Sequence, residues 1–232
     1  LDRIERGRRI DAQEIGGDAD AARDAVRENL VPEFGGIAGW RLKGRGNGAF
    51  GRKHLLDATR YWTELGLDVW RLDVPNEIDD DEFWAEYRAL VTGINPDAYL
   101  LGEIWTLSTR WVDDQHFHGL MNYPLRNAIQ GELLGDPDVA ALRAHLRIVA
   151  ETYRPETRLA MYNLLGSHDT SRIISRLRGH RAKTFLAYAA LFGLPGVPAI
   201  YYGDEVGLRG GTDPPSRGAF PSDEPQSAQA FR

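Results

Sequence analysis

From Lys53 onward, short apolar runs alternate with amphipathic stretches, and that alternation leaves few folds open. Leu55, Leu56, Trp62 and Leu65 recur at helical spacing before Gly66, which closes the helix. Asp79–Asp81 supplies an N-cap for the next helix, with Phe83, Trp84, Tyr87, Leu90 and Val91 as its stripe. Further helices are predicted over 137–150 and 181–192. Between them, runs at 67–74, 98–102, 119–122, 159–165 and 198–202 suit buried strands. Strands separated by helices build βαβ units with a parallel sheet. The pattern alone leaves open whether the sheet is doubly wound or part of a barrel.

Residues 1–52 differ. Residues 1–29 are dense in Arg, Asp, Glu and Ala, and 34–51 is a Gly-rich stretch expected to be loop. The whole chain of 232 residues is long enough for one ordinary core. Lys and Arg number 28 against 34 Asp and Glu, a net charge of −6, which disfavours a nucleic-acid partner. The absence of Cys excludes disulfides, thiolate catalysis and Cys-based zinc sites. It says little about compartment, for which the cytoplasm is slightly favoured. No apolar run approaches the roughly 18 residues needed to span a bilayer, so no membrane partner is expected. A chain that opens on Leu1 is expected to be an internal piece of something longer.

The chemistry is concentrated at strand ends. In Trp70-Arg71-Leu72-Asp73 the period of two puts Arg71 and Asp73 on one face. A guanidinium beside a carboxylate keeps it ionised, as a nucleophile requires; a structural ion pair is the alternative. Glu103 closes the next run among apolar neighbours, with Trp105 two positions on. Such surroundings should raise its pKa, as a general acid needs, although a buried Glu satisfied by backbone would look the same. Ser167-His168-Asp169-Thr170 follows a third run. Adjacent side chains diverge, so these residues are not expected to form a hydrolase triad, and a helix N-cap explains Asp169 or Thr170 equally well. The glycines of 44–51 lack the Lys-Ser/Thr ending of a phosphate loop. His116 and His118 read as structural, and neither a metal nor a cofactor is expected. Acidic residues on three strand ends share one edge of the sheet, which in a βα barrel is the active-site face. Two carboxylates with opposite pKa demands fit retaining glycoside hydrolysis.

Five segments carry a resemblance. Gly66–Ile78 (GLDVWRLDVPNEI) is similar to the strand-4 motif of the α-amylase superfamily, Leu101–Trp105 (LGEIW) to its strand-5 motif and Asn163–Arg172 (NLLGSHDTSR) to its strand-7 motif. Met121-Asn122-Tyr123-Pro124 and Gly196–Glu205 resemble its strand-6 and strand-8 segments. The chain thus resembles the retaining glycoside hydrolases of family 13, most closely the neopullulanase and cyclomaltodextrinase-like branch, from about Lys53 to Arg217. The resemblance implies a partial (β/α)8 TIM barrel, strands 4 to 8 with their helices, strands 1 to 3 being absent. Residues 53–205 would be barrel, 206–232 a tail leading out of it, and 1–52 would stand in the place of an inserted domain.

By position, the resemblance implies Asp73 as nucleophile, Arg71 as its charge partner, Glu103 as acid/base and Asp169 as the third carboxylate gripping sugar hydroxyls. His168 would bind the same sugar, Asn76 and Glu77 would line the acceptor side, and Trp105 would offer a stacking face. The implied partner is an α-glucan oligosaccharide, in a homodimeric parent. There are departures. The family's Asp…Asn-His motif of strand 3 is missing from residues 1–66. Val69 stands for a usual Gly, His118 for an Asp and Ser222 for a Trp. A non-catalytic carbohydrate-binding relative and a transglycosylase using the same residues are the alternatives. These 232 residues alone are expected to be inactive, with Val69, Leu101 and Leu165 deprived of barrel partners.

Overall fold

Among the described residues, five parallel strands, taken in chain order, are the frame on which the helices pack. The computed structural model describes residues 47–134, 139–212 and 214–220, all within a single compact unit. Helix α1 (Asn47–Glu64) leads to β1 (Val69–Leu72), α2 (Asp81–Ile94), β2 (Tyr99–Gly102) and β3 (Gly119–Leu120). There follow α3 (Tyr123–Leu134), α4 (Val139–Thr152), α5 (Pro155–Ala160), β4 (Tyr162–Asn163), α6 (Ile173–Arg176), α7 (Arg181–Gly193) and β5 (Val197–Pro198). β1 pairs with β2 from Val69↔Tyr99 to Leu72↔Gly102, and β2 with β3 through Leu101↔Gly119. A parallel bridge, Met121↔Tyr162, carries the sequence across to β4, which pairs with β5. The order never reverses. A doubly wound sheet reverses at its switch point, so this is an arc of a barrel.

The local chemistry explains the elements. Asp80 caps α2, its carboxylate accepting from Phe83 N at 3.0 Å, one residue inside the expected Asp79–Asp81 window. Phe83, Trp84, Tyr87 and Val91 are buried as the stripe predicts. They share a core with Leu100, Trp111, Phe117 and Leu120, against which Leu55, Leu56, Trp70 and Leu72 pack. Gly119 lies so close to the next segment that an added methyl would run into the Ala160 carbonyl.

Several boundaries move. The Gly-rich stretch expected as loop to Gly51 is helical from Asn47, because Leu55 and Leu56 anchor the same helix in the core; the rest of that stretch, and Ser222, lie outside the described residues. The strand expected over 159–165 is two residues long. Pro155 starts a helix that runs through Ala160, and beyond Asn163 the Leu165 carbonyl accepts from Arg126 and Gln130 side chains instead of a ladder partner. The strand expected at 198–202 is Val197–Pro198, and Ala199 N makes the last bond to its neighbour, Asn163 O, at 2.8 Å. Asp169 and Thr170 cap no helix, since α6 begins after Arg172; Thr170 instead closes a turn with Ser167. Leu101 and Leu165 do not lack partners. Met121, Tyr123 and Leu164 bury the first, and Leu125, Ile129 and Ile173 the second. Val69 does lack cover, at 49% exposed.

Candidate active site

The register of β1 and β2 decides the site. Leu72 pairs with Gly102, so the next residues, Asp73 and Glu103, leave the sheet side by side, with Glu103 N bonded to Leu72 O at 2.9 Å. Arg71, two residues before Asp73, reaches both. Its Nη1 pairs with Asp73 Oδ1, and its Nη2 stands 2.8 Å from Glu103 Oε1, out of line for a hydrogen bond. The same-face reading of Arg71 and Asp73 holds, and the second arm to Glu103 was not legible from spacing. Val74 N donates to Glu103 Oε2 at 3.2 Å. To do so Val74 adopts a left-handed backbone, φ 32° and ψ 53°, a costly conformation for a β-branched residue, of order 1–3 kcal/mol.

The two carboxyls are driven in opposite directions. Burial pushes the Glu103 pKa up, a hydrogen bond to Asp73 adds to that, and Arg71 and the Val74 amide only partly offset it. The Glu103 side chain is 3% exposed. At Asp73 burial is the largest influence and opposes ionisation, but the Glu103 and Arg71 hydrogen bonds, with the charges of Arg71 and His168, together hold its pKa below the usual value. The Asp73 side chain is 72% exposed, so water screens these interactions. A sheltered carboxyl whose protonated form is favoured thus sits beside an accessible carboxylate whose ionised form is favoured.

Two further strand ends complete the group. Asp169, on the loop after β4, has Oδ2 3.1 Å from His168 Nε2 and Oδ1 3.4 Å from Arg217 Nη2. His168 and Asp169 therefore meet despite being adjacent, contrary to the expected divergence. Ser167 takes no part in a triad: its Oγ accepts from Asp169 N and lies 3.4 Å from the Tyr123 hydroxyl. Tyr123, just past β3, is fully buried, and Trp105 stacks flat on its ring at 3.8 Å. Burial first, then the charges of Glu103 and Asp169, push the Tyr123 hydroxyl up to about 12, so it stays a neutral donor. Trp105 keeps 43% of its surface open.

Asn76 and Glu77 occupy the exposed 3-10 turn Pro75–Glu77 that follows Asp73. The sequence reading did not weigh Tyr123 or Arg217 as site residues. An aromatic directly after a strand was the available signal for Tyr123; Arg217 had none. His116 is held by Asp113 at 2.7 Å and Asp81 at 3.2 Å, and His118 Nδ1 accepts from Leu100 N at 2.9 Å. Burial lowers the His118 pKa, which suits an acceptor nitrogen. Among the described residues no cluster of His, Asp and Glu has the arrangement of a metal site, and no helix is long and apolar enough to cross a membrane.

The chain is similar to known proteins. The family model described as "Alpha amylase, catalytic domain" matches residues 50–224. A cyclomaltodextrinase from Bacillus sp is 42% identical over 175 residues, covering 75% of this chain and 31% of that protein. Neopullulanase 2 of Thermoactinomyces vulgaris is 40% identical over 167 residues, covering 72% of this chain and 28% of that protein. The solved structure of a cyclic α-maltosyl-(1→6)-maltose hydrolase from Arthrobacter globiformis, in complex with cyclic α-maltosyl-(1→6)-maltose, superposes with TM-score 0.75 at 39% identity. It covers 79% of this chain and 43% of that one. The chain thus spans under a third of the length of these two curated relatives.

Proposed function

The chain belongs to the α-amylase catalytic-domain family, and from that premise we propose that it carries the reacting carboxylates of a retaining hydrolase of α-glucosidic bonds. The observation that carries this reading is the single Arg71 guanidinium between a carboxylate of lowered pKa and a carboxyl of raised pKa. Ionised Asp73 attacks the anomeric carbon while protonated Glu103 gives its proton to the departing glycosidic oxygen. Glu103, now a carboxylate, then draws a proton from the water that releases the sugar. Asp169 and His168 receive hydroxyls of the sugar being cleaved, Trp105 offers its open face to a ring, and Asn76 and Glu77 line the acceptor side. Maltooligosaccharides, cyclodextrins and starch-type glucans are the substrate class, in keeping with the names of the relatives.

In this reading β1 to β5 are strands 4 to 8 of a (β/α)8 barrel, 53–205 its catalytic portion, 206–232 the way out, and 1–52 the place of an inserted domain. The barrel would be completed by three further βα units of a longer polypeptide. Exposed Val69, Tyr61, Trp62 and Leu65 on the β1 flank, and Val197, Ile200, Phe185 and Phe192 on the β5 flank, are the surfaces those units would cover. Residues 1–232 expressed alone are therefore expected to associate through open strand edges and apolar flanks, and to turn over no glucan. Light scattering and a maltooligosaccharide assay check this. A monomer with measurable turnover would show that the arc is self-sufficient.

Retention itself is expected of the full-length enzyme. The hydrogen bond between the Asp73 and Glu103 side chains brings the carboxyls closer than the about 6.5–9.5 Å that inversion needs for a water between them. Proton NMR of the first product should show the α-anomer; a β-anomer would refute the assignment of Asp73 as nucleophile.

A further inference from the structure

The loop carrying His168 and Asp169 is not held by β4 alone. The segment after β5 folds back across it. Arg172 N donates to Gly210 O at 3.2 Å, and Gly210 N to Ser175 Oγ at 2.9 Å. A methyl on Gly210 would strike the Pro215 carbonyl, so the chain doubles back tightly there. In the 3-10 turn Pro215–Arg217 that follows, Ser216 is fully buried and its hydroxyl donates to His168 O at 2.7 Å. Arg217 reaches the same carbonyl through Nε at 3.4 Å and Asp169 Oδ1 through Nη2 at 3.4 Å. His168 Nε2 faces the other oxygen of Asp169 at 3.1 Å. The carboxylate is therefore gripped from two sides, by its chain neighbour and by a residue 48 positions away.

We propose that Arg217 is a positioning residue for Asp169: with Ser216 fixing the His168 backbone, it sets the plane in which the Asp169 carboxylate meets the substrate. This rests on the reading of Asp169 as the carboxylate that receives sugar hydroxyls. A carboxylate accepts along lone-pair directions in its own plane, so a rotated Asp169 would meet those hydroxyls out of line. The planar guanidinium presents its donors in fixed directions, whereas an ammonium supplies charge without that geometry. Arg217 is about half exposed, so its effect is that of a partly screened, charge-assisted hydrogen bond.

The test is a double-mutant cycle in the full-length enzyme, reading kcat/KM on an aryl maltooligosaccharide with a good leaving group so that slow variants stay measurable. Arg217→Met should lower kcat/KM about three- to tenfold. Arg217→Lys should recover part of the loss. In an Asp169→Asn background, Arg217→Met should cost nothing further, because the group it orients has been replaced. A merely structural brace would give equal losses in both backgrounds, and that additivity would overturn the proposal, as would unchanged kcat/KM in Arg217→Met alone. If Asp169→Asn kept wild-type kcat/KM, the sugar-binding reading of Asp169 would fall, and this proposal with it.

Discussion

Asp73→Asn in the full-length enzyme is expected to lose about 10³–10⁶-fold in kcat on maltooligosaccharides while melting as the wild type does. The amide is nearly isosteric but cannot form the covalent glycosyl ester, so the first chemical step disappears. In barrier terms the loss is about 4–8 kcal/mol, at about 1.4 kcal/mol per tenfold. The fold should not notice. The Asp73 side chain is largely in water, and losing its charge leaves Arg71 with the Glu103 carboxyl 2.8 Å from its Nη2. Loss of a largely exposed ion pair of this kind moves stability by about 0–1 kcal/mol. Paired measurements of kcat and thermal melting check the claim. Activity within about tenfold of wild type would make Asp73 a plain ion-pair partner of Arg71 and send the search for the nucleophile elsewhere.

Much of this site could be read in the sequence because strands have a short, rigid period. Alternation put Arg71 and Asp73 on one face, and their ion pair confirms it. The apolar neighbours of Glu103 foretold its burial and the direction of its pKa. The second arm of Arg71 was out of reach, because it depends on the register Leu72↔Gly102, which no local pattern encodes. Arg217 was out of reach for the same reason, and the partner of Tyr123 likewise, although its place after a strand was a local signal. Each acts across loops 44 to 48 residues apart, Tyr123 joining Ser167 and Arg217 joining Asp169. Fold class was clearer than element length. The helix stripe of α2 repeats over more than two turns, whereas β4 and β5 are two residues long, and beyond β4 the Leu165 carbonyl is taken by side chains of Arg126 and Gln130. Leu101 and Leu165 were expected to lose barrel partners from the absent strands. Met121, Tyr123 and Ile129, from the β3 strand end and helix α3, cover them instead.

Glu103→Gln should separate substrates by leaving group. A natural glucan departs as a poor alkoxide and needs a proton in the transition state; an aryl oxide or fluoride does not. The loss on maltooligosaccharides is expected at about 10²–10⁴-fold, the range of a positioned general acid, and less than about tenfold for bond cleavage in activated substrates. The pH profile gives a second signature. Glu103 must be protonated to act, and burial with the Asp73 hydrogen bond raises its pKa, so wild-type kcat/KM should fall as pH rises through that raised value. Asp73 must be ionised, and its pKa is held low, so the acid limb should appear only as pH falls below the ordinary carboxylate range. Gln removes the basic limb and leaves the acid one. The site should survive the change, since the amide oxygen can still accept from Val74 N and Arg71 keeps Asp73 as partner. Equal losses on both substrate types, or a basic limb that persists in Glu103→Gln, would mean that the proton comes from another group and that the raised pKa of Glu103 only reports its burial.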